Sequence, residues 1–336
     1  MKLRIATRKS ALALAQARWV GARIREHAPD TEVEEVHVVT QGDKIQDRPL
    51  ATIGGKGLFV SEVEAQLAEG LADIAVHSMK DVPSELLEGL SLVCMPLRED
   101  PRDVLVTAEG VEIDALEAGS RVGTSSLRRT SQLRAHRPDL EFASLRGNVD
   151  TRLRKLDEGQ YAAIVLARAG MARLDLLSHP HWVIPADVSI PAAGQGAIGI
   201  EARADDERAR ALLAPLAHGP TRVAVEAERA VVAKLEGSCK VPIAAYAELR
   251  EDGRRLTLQA MVGSLDGSQI LSGASDCYLA AGDQDQLMSE ARTLGTEVAE
   301  GLLDKGAAEL IREAMAAMER AAKQGNGGGG NFGRWS

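Results

Sequence analysis

The residues in this sequence that could do chemistry are a cluster of arginines, an adjacent lysine–aspartate pair and a cysteine that follows a helix. Between Arg121 and Lys155 stand nine basic residues against three acidic ones, in a chain whose formal net charge is -9. The positive charge is concentrated, and its natural partner is an anion. Eight of the nine are arginine, whose planar fork of donors fits a carboxylate or phosphate bidentately, where lysine offers a point charge. Arg128 and Arg129 follow Gly123-Thr124-Ser125-Ser126, which reads as a strand end running into a helix capped by Thr124 or Ser125. A helix N-terminus attracts anions by itself, so an arginine pair in its first turn makes a carboxylate cradle. The pattern recurs at Ser144-Leu145-Arg146-Gly147-Asn148, ahead of a helix that carries Arg152. Arg134, Arg137 and Arg154 read as a solvated helix face.

Other candidates lie outside this stretch. Arg8 and Ser10 sit in the first strand-to-helix turn, and Arg173 sits on a helix of the second half. Lys80 and Asp81 occupy the turn that leaves the buried strand Asp73 to His77, and adjacent opposite charges there exceed the usual polar filling of a loop. Lys56 stands among Gly54, Gly55 and Gly57. That segment lacks the spacing and the Lys-Ser/Thr ending of a phosphate-binding loop, and suits a lid instead. Cys239 follows a helix ending at Gly237; from the sequence it reads first as a packed side chain and second as a nucleophile. Cys94 and Cys277 read as packed, and His77 as structural. With no Cys-x-x-Cys and no His-x-x-x-His, neither a disulfide nor a structural metal is expected, and His179 and His181 stand in a loop without a nearby cysteine.

The elements that must position these residues follow from periodicity. Strands are expected at Leu3 to Thr7, Val33 to Thr40, Asp73 to His77 and Leu90 to Met95, with a first helix from Ser10 to Pro29 and another through Val63, Leu67 and Leu71. Pro96 to Pro101 is a hinge into a second α/β unit. There Val104 to Thr107, Phe142 to Leu145 and Ala162 to Leu166 are strands, and Asn148 to Leu156 and Ala169 to Leu177 are helices. Ala197 to Glu201 returns to the first sheet, so two crossings join two lobes around a cleft. From Thr221 a helix, three alternating strands and two amphipathic helices make a small α+β unit. The expected division is 1–97 with 196–216, then 101–192, then 219–316, with a disordered glycine-rich tail over 323–336. Ligands in such α/β sheets lie at the carboxyl ends of the strands, where most of the candidates fall.

Composition narrows the class. At 336 residues two or three domains are expected. No apolar run approaches a membrane span and no signal-peptide pattern opens the chain, so a soluble cytoplasmic protein is expected. Aromatic content of 3% and an acidic total argue against nucleic-acid binding.

Seven motifs then stand in one order: T-R-K-S-A-L-A-L-A-Q (Thr7 to Gln16), G-G-K-G-L-F (Gly54 to Phe59), D-I-A-V-H-S-M-K-D-V-P (Asp73 to Pro83), R-E-D-P-R-D (Arg98 to Asp103), G-T-S-S-L-R-R (Gly123 to Arg129), S-L-R-G-N-V-D-T-R (Ser144 to Arg152) and L-E-G-S-C-K-V-P (Leu235 to Pro242). Together they resemble the porphobilinogen deaminase (hydroxymethylbilane synthase) family over roughly residues 2 to 315. The resemblance implies two lobes like those of type II periplasmic binding proteins plus a small C-terminal domain, in a monomer without a metal. It implies a dipyrromethane cofactor held through a thioether to Cys239, and porphobilinogen units joined head to tail, with loss of ammonia, into a linear tetrapyrrole. Cofactor contacts would come from Lys80, Asp81, Thr124, Ser125, Ser126, Arg128, Arg129 and Arg146, and substrate contacts from Arg8, Ser10, Lys56, Arg146, Arg152 and Arg173. Ser238 stands where the family often has Gly, and Thr52 where a basic residue can occur.

The chemistry explains the residue types. Each porphobilinogen ring brings an acetate and a propionate, and a charge-assisted hydrogen bond contributes only ~1.5–3 kcal/mol net, so many arginines are required. Deamination leaves an electrophile whose charge spreads onto the ring nitrogen, and a carboxylate such as Asp81 beside that N–H would stabilise it and move protons. A thiolate at Cys239 can attack the same electrophile. A hinged, non-catalytic carboxylate receptor is the competing reading; it needs neither a third domain nor a thiol.

Overall fold

The computed structural model describes residues 2–40, 60–236, 241–250 and 253–325. In chain order the first elements are β1 (Lys2–Arg8), α1 (Ala11–His27), β2 (Glu32–Val38), α2 (Ser61–Ala68), β3 (Ile74–Ser78) and β4 (Leu90–Cys94). After the first crossing come β5 (Asp103–Val106), β6 (Arg121–Gly123), α3 (Leu127–His136), β7 (Glu141–Ala143), α4 (Val149–Asp157), β8 (Ala163–Ala167), α5 (Arg168–Arg173) and β9 (His181–Val183). The chain then returns through β10 (Ile198–Arg203) and α6 (Glu207–Leu213). It ends with α7 (Gly219–Lys234), β11 (Ile243–Leu249), β12 (Arg255–Gly263), β13 (Ile270–Tyr278), α8 (Gln284–Asp304) and α9 (Ala307–Gly325).

Two five-stranded sheets share one plan. The first has the order β2-β1-β3-β10-β4 and the second β7-β6-β8-β5-β9. In each, three parallel strands are followed by an antiparallel strand that has just crossed from the other lobe: β10 lies antiparallel to β3 and β4, and β5 antiparallel to β8 and β9. This exchange of strands is the plan of the two lobes of type II periplasmic binding proteins. The C-terminal unit is a three-stranded antiparallel meander, β11-β12-β13, whose core residues Val223, Val231, Leu258, Leu294 and Leu302 join α7 and α8 to the sheet.

Local sequence explains the elements. Ser10 caps α1, its hydroxyl accepting from the Ala13 N–H, and Ala13, Ala17, Val20 and Ile24 recur on the buried face. β3 is buried along its length because helices cover both faces of the sheet. Arg4 clasps Asp73 with two guanidinium hydrogen bonds, fixing β1 beside the start of β3. At the second crossing Gly196 has φ +86° and a Cβ there would strike the Glu99 carbonyl, so only glycine fits.

Several expectations need correction. The cap of α3 is Ser126, whose hydroxyl accepts from the Arg129 N–H, and neither Thr124 nor Ser125 serves, because the Thr124 hydroxyl accepts from the Ser126 N–H and the Ser125 hydroxyl is engaged by Leu145. The helix α2 stops at Ala68, leaving Leu71 half exposed outside it. The helix expected to reach Leu177 ends at Arg173, and Asp175 beyond it has φ 56°. Arg137 is not a solvated helix residue: it donates to the Ile113 and Leu116 carbonyls and to Asp139.

Candidate active site

The candidate residues gather at the carboxyl ends of the parallel strands in both lobes. In the first lobe β1 ends at Arg8, just before Ser10, and β3 runs into a single 3-10 turn, Met79–Asp81, that carries Lys80 and Asp81. Arg8, Ser10, Gln16, His77, Ser78 and Asp81 line a cavity of about 60 Å³. In the second lobe β6, β7 and β8 lead respectively to Arg128 and Arg129, to Arg146 and Arg152, and to Arg173. The lobes meet here. Lys80 lies in the field of Asp103, Arg128 and Arg129, and Arg173 donates across to the Gly196 carbonyl at 2.6 Å.

The arginine pair of α3 is built around a carboxylate that sequence reasoning did not assign. Asp103, fully buried at the start of β5, takes Arg128 Nη1 on Oδ2 at 2.8 Å and Arg129 Nη2 on Oδ1 at 2.7 Å. Burial alone would raise its pKa, but the two guanidiniums outweigh burial and hold the carboxyl well below the usual range. Arg129 also donates to the Val165 carbonyl and Arg128 to the Ile190 carbonyl. Gln195 donates to Asp103 Oδ1 from the second crossing. Two buried cations therefore share one anion, which leaves a net positive cradle. Asp103 closes the R-E-D-P-R-D motif; an aspartate opening an apolar strand was the signal available.

The hydroxyls of the turn mostly shape it. Ser125 Oγ accepts from the Leu145 N–H and donates to the Leu145 carbonyl, locking the turn after β6 to the one after β7. Thr124 Oγ1 accepts from the Ser126 N–H.

The remaining cations differ from the pair on Asp103. Lys80 makes no hydrogen bond or ion pair among the described residues, and burial pulls its ammonium down from 10.5 to about 8. Arg152 donates to the Gly147 carbonyl and has no carboxylate within ion-pair distance among the described residues; burial, helped by Arg129 and Arg146, lowers it to about 10. Arg173 is likewise lowered to about 10 by burial, with Glu99 opposing, and burial lowers Arg146. Lys80, Arg152 and Arg173, half-buried and without a carboxylate within ion-pair distance among the described residues, fit a ligand that brings several carboxylates. Asp81, beside Lys80, makes no hydrogen bond or ion pair among the described residues, so its oxygens are available to an N–H donor.

A further residue, Arg229 of α7, escaped the sequence reading. Its guanidinium reaches the Val82, Pro83 and Ser84 carbonyls immediately after Asp81, at 3.1, 2.7 and 3.3 Å. Lys56 and Cys239 lie outside the described residues. Of the other thiols, Cys94 is buried, donates to the Leu213 carbonyl and is pushed up to about 12 by burial, while burial also raises half-buried Cys277; both are poor thiolates. Among the described residues no helix is long and apolar enough to cross a membrane, and no group of three or more His, Cys, Asp or Glu is placed to hold a metal ion.

Among solved structures, the Methionine Binding Protein MetQ is 13% identical, with 64% of this chain and 89% of that one covered and a TM-score of 0.41. The probable amino-acid transporter binding protein ytmK of Bacillus subtilis is 10% identical, with 64% and 90% covered and a TM-score of 0.39. Two family models match the chain in succession: "Porphobilinogen deaminase, dipyromethane cofactor binding domain" over residues 3–211 and "Porphobilinogen deaminase, C-terminal domain" over residues 223–304. The chain thus belongs to the porphobilinogen deaminase family, transferases of tetrapyrrole biosynthesis that work with a dipyrromethane cofactor.

Proposed function

We propose that this protein is a hydroxymethylbilane synthase: it joins four porphobilinogen units head to tail, with release of ammonia at each step, into the linear tetrapyrrole hydroxymethylbilane. The dipyrromethane is held by a thioether to Cys239 and, when bound, supplies an electron-rich pyrrole carbon at which the chain begins. The proposed division is 1–97 with 196–216, 101–192 and 219–316, in a cytoplasmic monomer whose partner is a small acidic molecule.

One observation carries the reading. Lys80, Arg152 and Arg173, half-buried and without a carboxylate within ion-pair distance among the described residues, surround the ends of strands from both lobes, and Asp81 stands beside Lys80 equally unpartnered. Porphobilinogen presents two carboxylates and a pyrrole N–H, the complement of that set.

The roles follow from the chemistry. Lys80, Arg128, Arg129 and Arg146, with Thr124, Ser125 and Ser126 shaping the turn, hold the acidic side chains of the cofactor. Arg8, Ser10, Lys56, Arg146, Arg152 and Arg173 hold those of the incoming unit. Asp81 accepts from the pyrrole N–H and stabilises the positive charge that develops on the ring as the amine departs, work of ~10²–10⁴ in rate for a positioned acid or base. The cradle around Asp103 keeps Arg128 and Arg129 rigid before the ligand arrives, so little reorganisation accompanies binding.

Two measurements test the proposal. Intact mass of the purified protein under denaturing conditions is expected to exceed the sequence mass by two pyrrole units, and Cys239→Ser to remove the increment. Porphobilinogen is expected to be consumed with release of ammonia, and Asp81→Asn to keep the increment while losing nearly all turnover. An unmodified chain that leaves porphobilinogen untouched would return the molecule to the carboxylate-receptor reading.

A further inference from the structure

Beneath the cavity shared by Arg8, Ser10 and Asp81 lies a buried group of ionisable side chains that the roles above leave unused. His77, on β3, is 6% exposed and its Nε2 is 2.9 Å from Oε2 of Glu201 on β10. Glu201 is completely buried, and its second oxygen, Oε1, has no hydrogen-bond partner among the described residues. Behind them, on α2, Glu64 is buried, accepts from the Leu87 N–H at 3.1 Å and lies in the field of both Glu201 and His77. The charged groups facing His77 are thus Glu201 from β10, Glu64 from α2, Asp81 from the turn after β3 and Arg8 from the end of β1.

The sheet dictates this arrangement. His77 pairs with Gly199 and Ala75 with Glu201 in the β3–β10 ladder, so His77 and Glu201 are diagonal neighbours on the face that α2 covers. Burial pushes the Glu64 carboxyl above its usual range, and the nearby Glu201 adds to the shift. With Nε2 engaged by Glu201, the other ring nitrogen, Nδ1, has no hydrogen-bond partner among the described residues, and His77 lines the cavity. A volume of about 60 Å³ admits a molecule the size of water or ammonia, water's share of liquid volume being ~30 Å³.

We propose that this cavity receives the departing ammonia and that His77, backed by Glu201 and Glu64, is the residue that hands it a proton. The inference rests on the function proposed above. In that reaction the substrate's aminomethyl group leaves from its protonated, –NH3⁺ form: the carbon–nitrogen bond breaks with its electron pair remaining on nitrogen, which gives neutral ammonia. The ammonia so formed takes the proton of the His77 imidazolium and leaves as ammonium. The acceptor pyrrole carbon loses one proton when the new carbon–carbon bond forms, and that proton restores His77, so each cycle closes without an external acid. Asp81 remains the partner of the pyrrole N–H, and the two residues divide charge stabilisation from proton transfer.

The test uses the complete, adduct-bearing protein and two near-isosteric variants. His77→Gln keeps a donor toward Glu201 but cannot titrate; Glu201→Gln keeps a partner for His77 but removes the negative charge that favours the imidazolium. His77→Gln is expected to retain the two-pyrrole mass increment, to lower kcat by about 10²-fold with KM for porphobilinogen changed less than twofold, and to lose one ionisation from the kcat–pH profile. Glu201→Gln is expected to move that ionisation to lower pH. In the resting protein the ring-nitrogen resonances of His77 are expected to titrate, and their midpoint to fall in Glu201→Gln, a readout independent of turnover and available even if His77→Gln does not fold. A kcat–pH profile unchanged in both variants, or a His77 resonance indifferent to Glu201→Gln, overturns the proposal while leaving the function intact. Wild-type protein that carries no adduct and leaves porphobilinogen untouched instead refutes the function.

Discussion

Cations in this protein fall into two groups that one-dimensional charge counting does not separate. Arg128 and Arg129 face a buried aspartate, whereas Lys80, Arg152 and Arg173 have none. The sequence revealed that the charge was concentrated and which turns carried it. It could not show the Asp103 partnership, because that contact joins residues 25 and more positions apart across a sheet whose order is invisible in the chain. The unpaired lysine has a thermodynamic consequence. In the folded protein burial lowers Lys80 to about 8 from 10.5, so between those values the unfolded state binds more protons, and stability attributable to Lys80 rises with pH through that window. Below about 8 the charged side chain is a cost, carried for the ligand. In a Cys239→Ser background, where no adduct supplies carboxylates, Lys80→Met is expected to raise stability at pH 7 by about 1–2 kcal/mol, less than the full shift implies because part of the side chain is solvated. The gain should vanish near pH 10.5, and calorimetry at the two pH values checks it. The same substitution in the adduct-bearing protein should raise KM for porphobilinogen.

At the scale of elements, strand and helix positions were legible because the apolar spacing switches cleanly between two and 3.6 residues, and Ser10 and Pro29 mark both limits of α1. What the sequence misplaced was local competition between side chains and backbone. Three hydroxyl residues stand together at Thr124 to Ser126, and only the fold decides that Ser126 caps the helix while Ser125 ties down Leu145. The helix α7 does more than close a core. Through Arg229 it grips three successive carbonyls of the loop that follows Asp81, and its own C-terminal end leads toward the segment that carries Cys239. Arg229→Lys keeps the charge but not the fork that serves several carbonyls at once. We expect kcat to fall about 10-fold, since small misplacements of a reacting group carry penalties of this order, while the mass increment is retained. Steady-state kinetics beside intact mass decides it, and an unchanged kcat would mean that the loop holds Asp81 in place without help from α7.

For the whole molecule, the hinge at Pro96 to Pro101 and the return of Ala197 to Glu201 to the first sheet were visible in the sequence, and with them two crossings between lobes. The seating of the third unit was not, because it depends on one buried carboxylate. Glu228 of α7, fully buried, accepts both nitrogens of Arg98 from the first crossing at 2.6 and 3.1 Å, the Gly194 N–H from the second at 2.6 Å and the Ala247 N–H of β11 at 2.9 Å. Arg98 extends the network to the Gln195 carbonyl, and Gln195 to Asp103 at the heart of the arginine cradle. The C-terminal unit is therefore fastened at the hinge itself, where it restrains the lobes and the cradle together. A buried ion pair is weak support for stability against an apolar replacement, but removing one partner strands the other, at a cost of ~3–5 kcal/mol. Glu228→Gln preserves shape, removes the charge and obliges one amide N–H to face Arg98 or a backbone donor. It is expected to lower the melting temperature by several degrees, each kcal/mol being worth roughly 2–4 °C in a chain of this class, and to release the C-terminal unit as a separate transition in calorimetry. A single transition within a degree of the unsubstituted protein would mean that apolar packing of α7 and α8, not this carboxylate, joins the three units. The double variant Arg98→Met with Glu228→Gln separates the charge from the contact: recovery of most of the lost stability would identify the stranded guanidinium as the source of the damage.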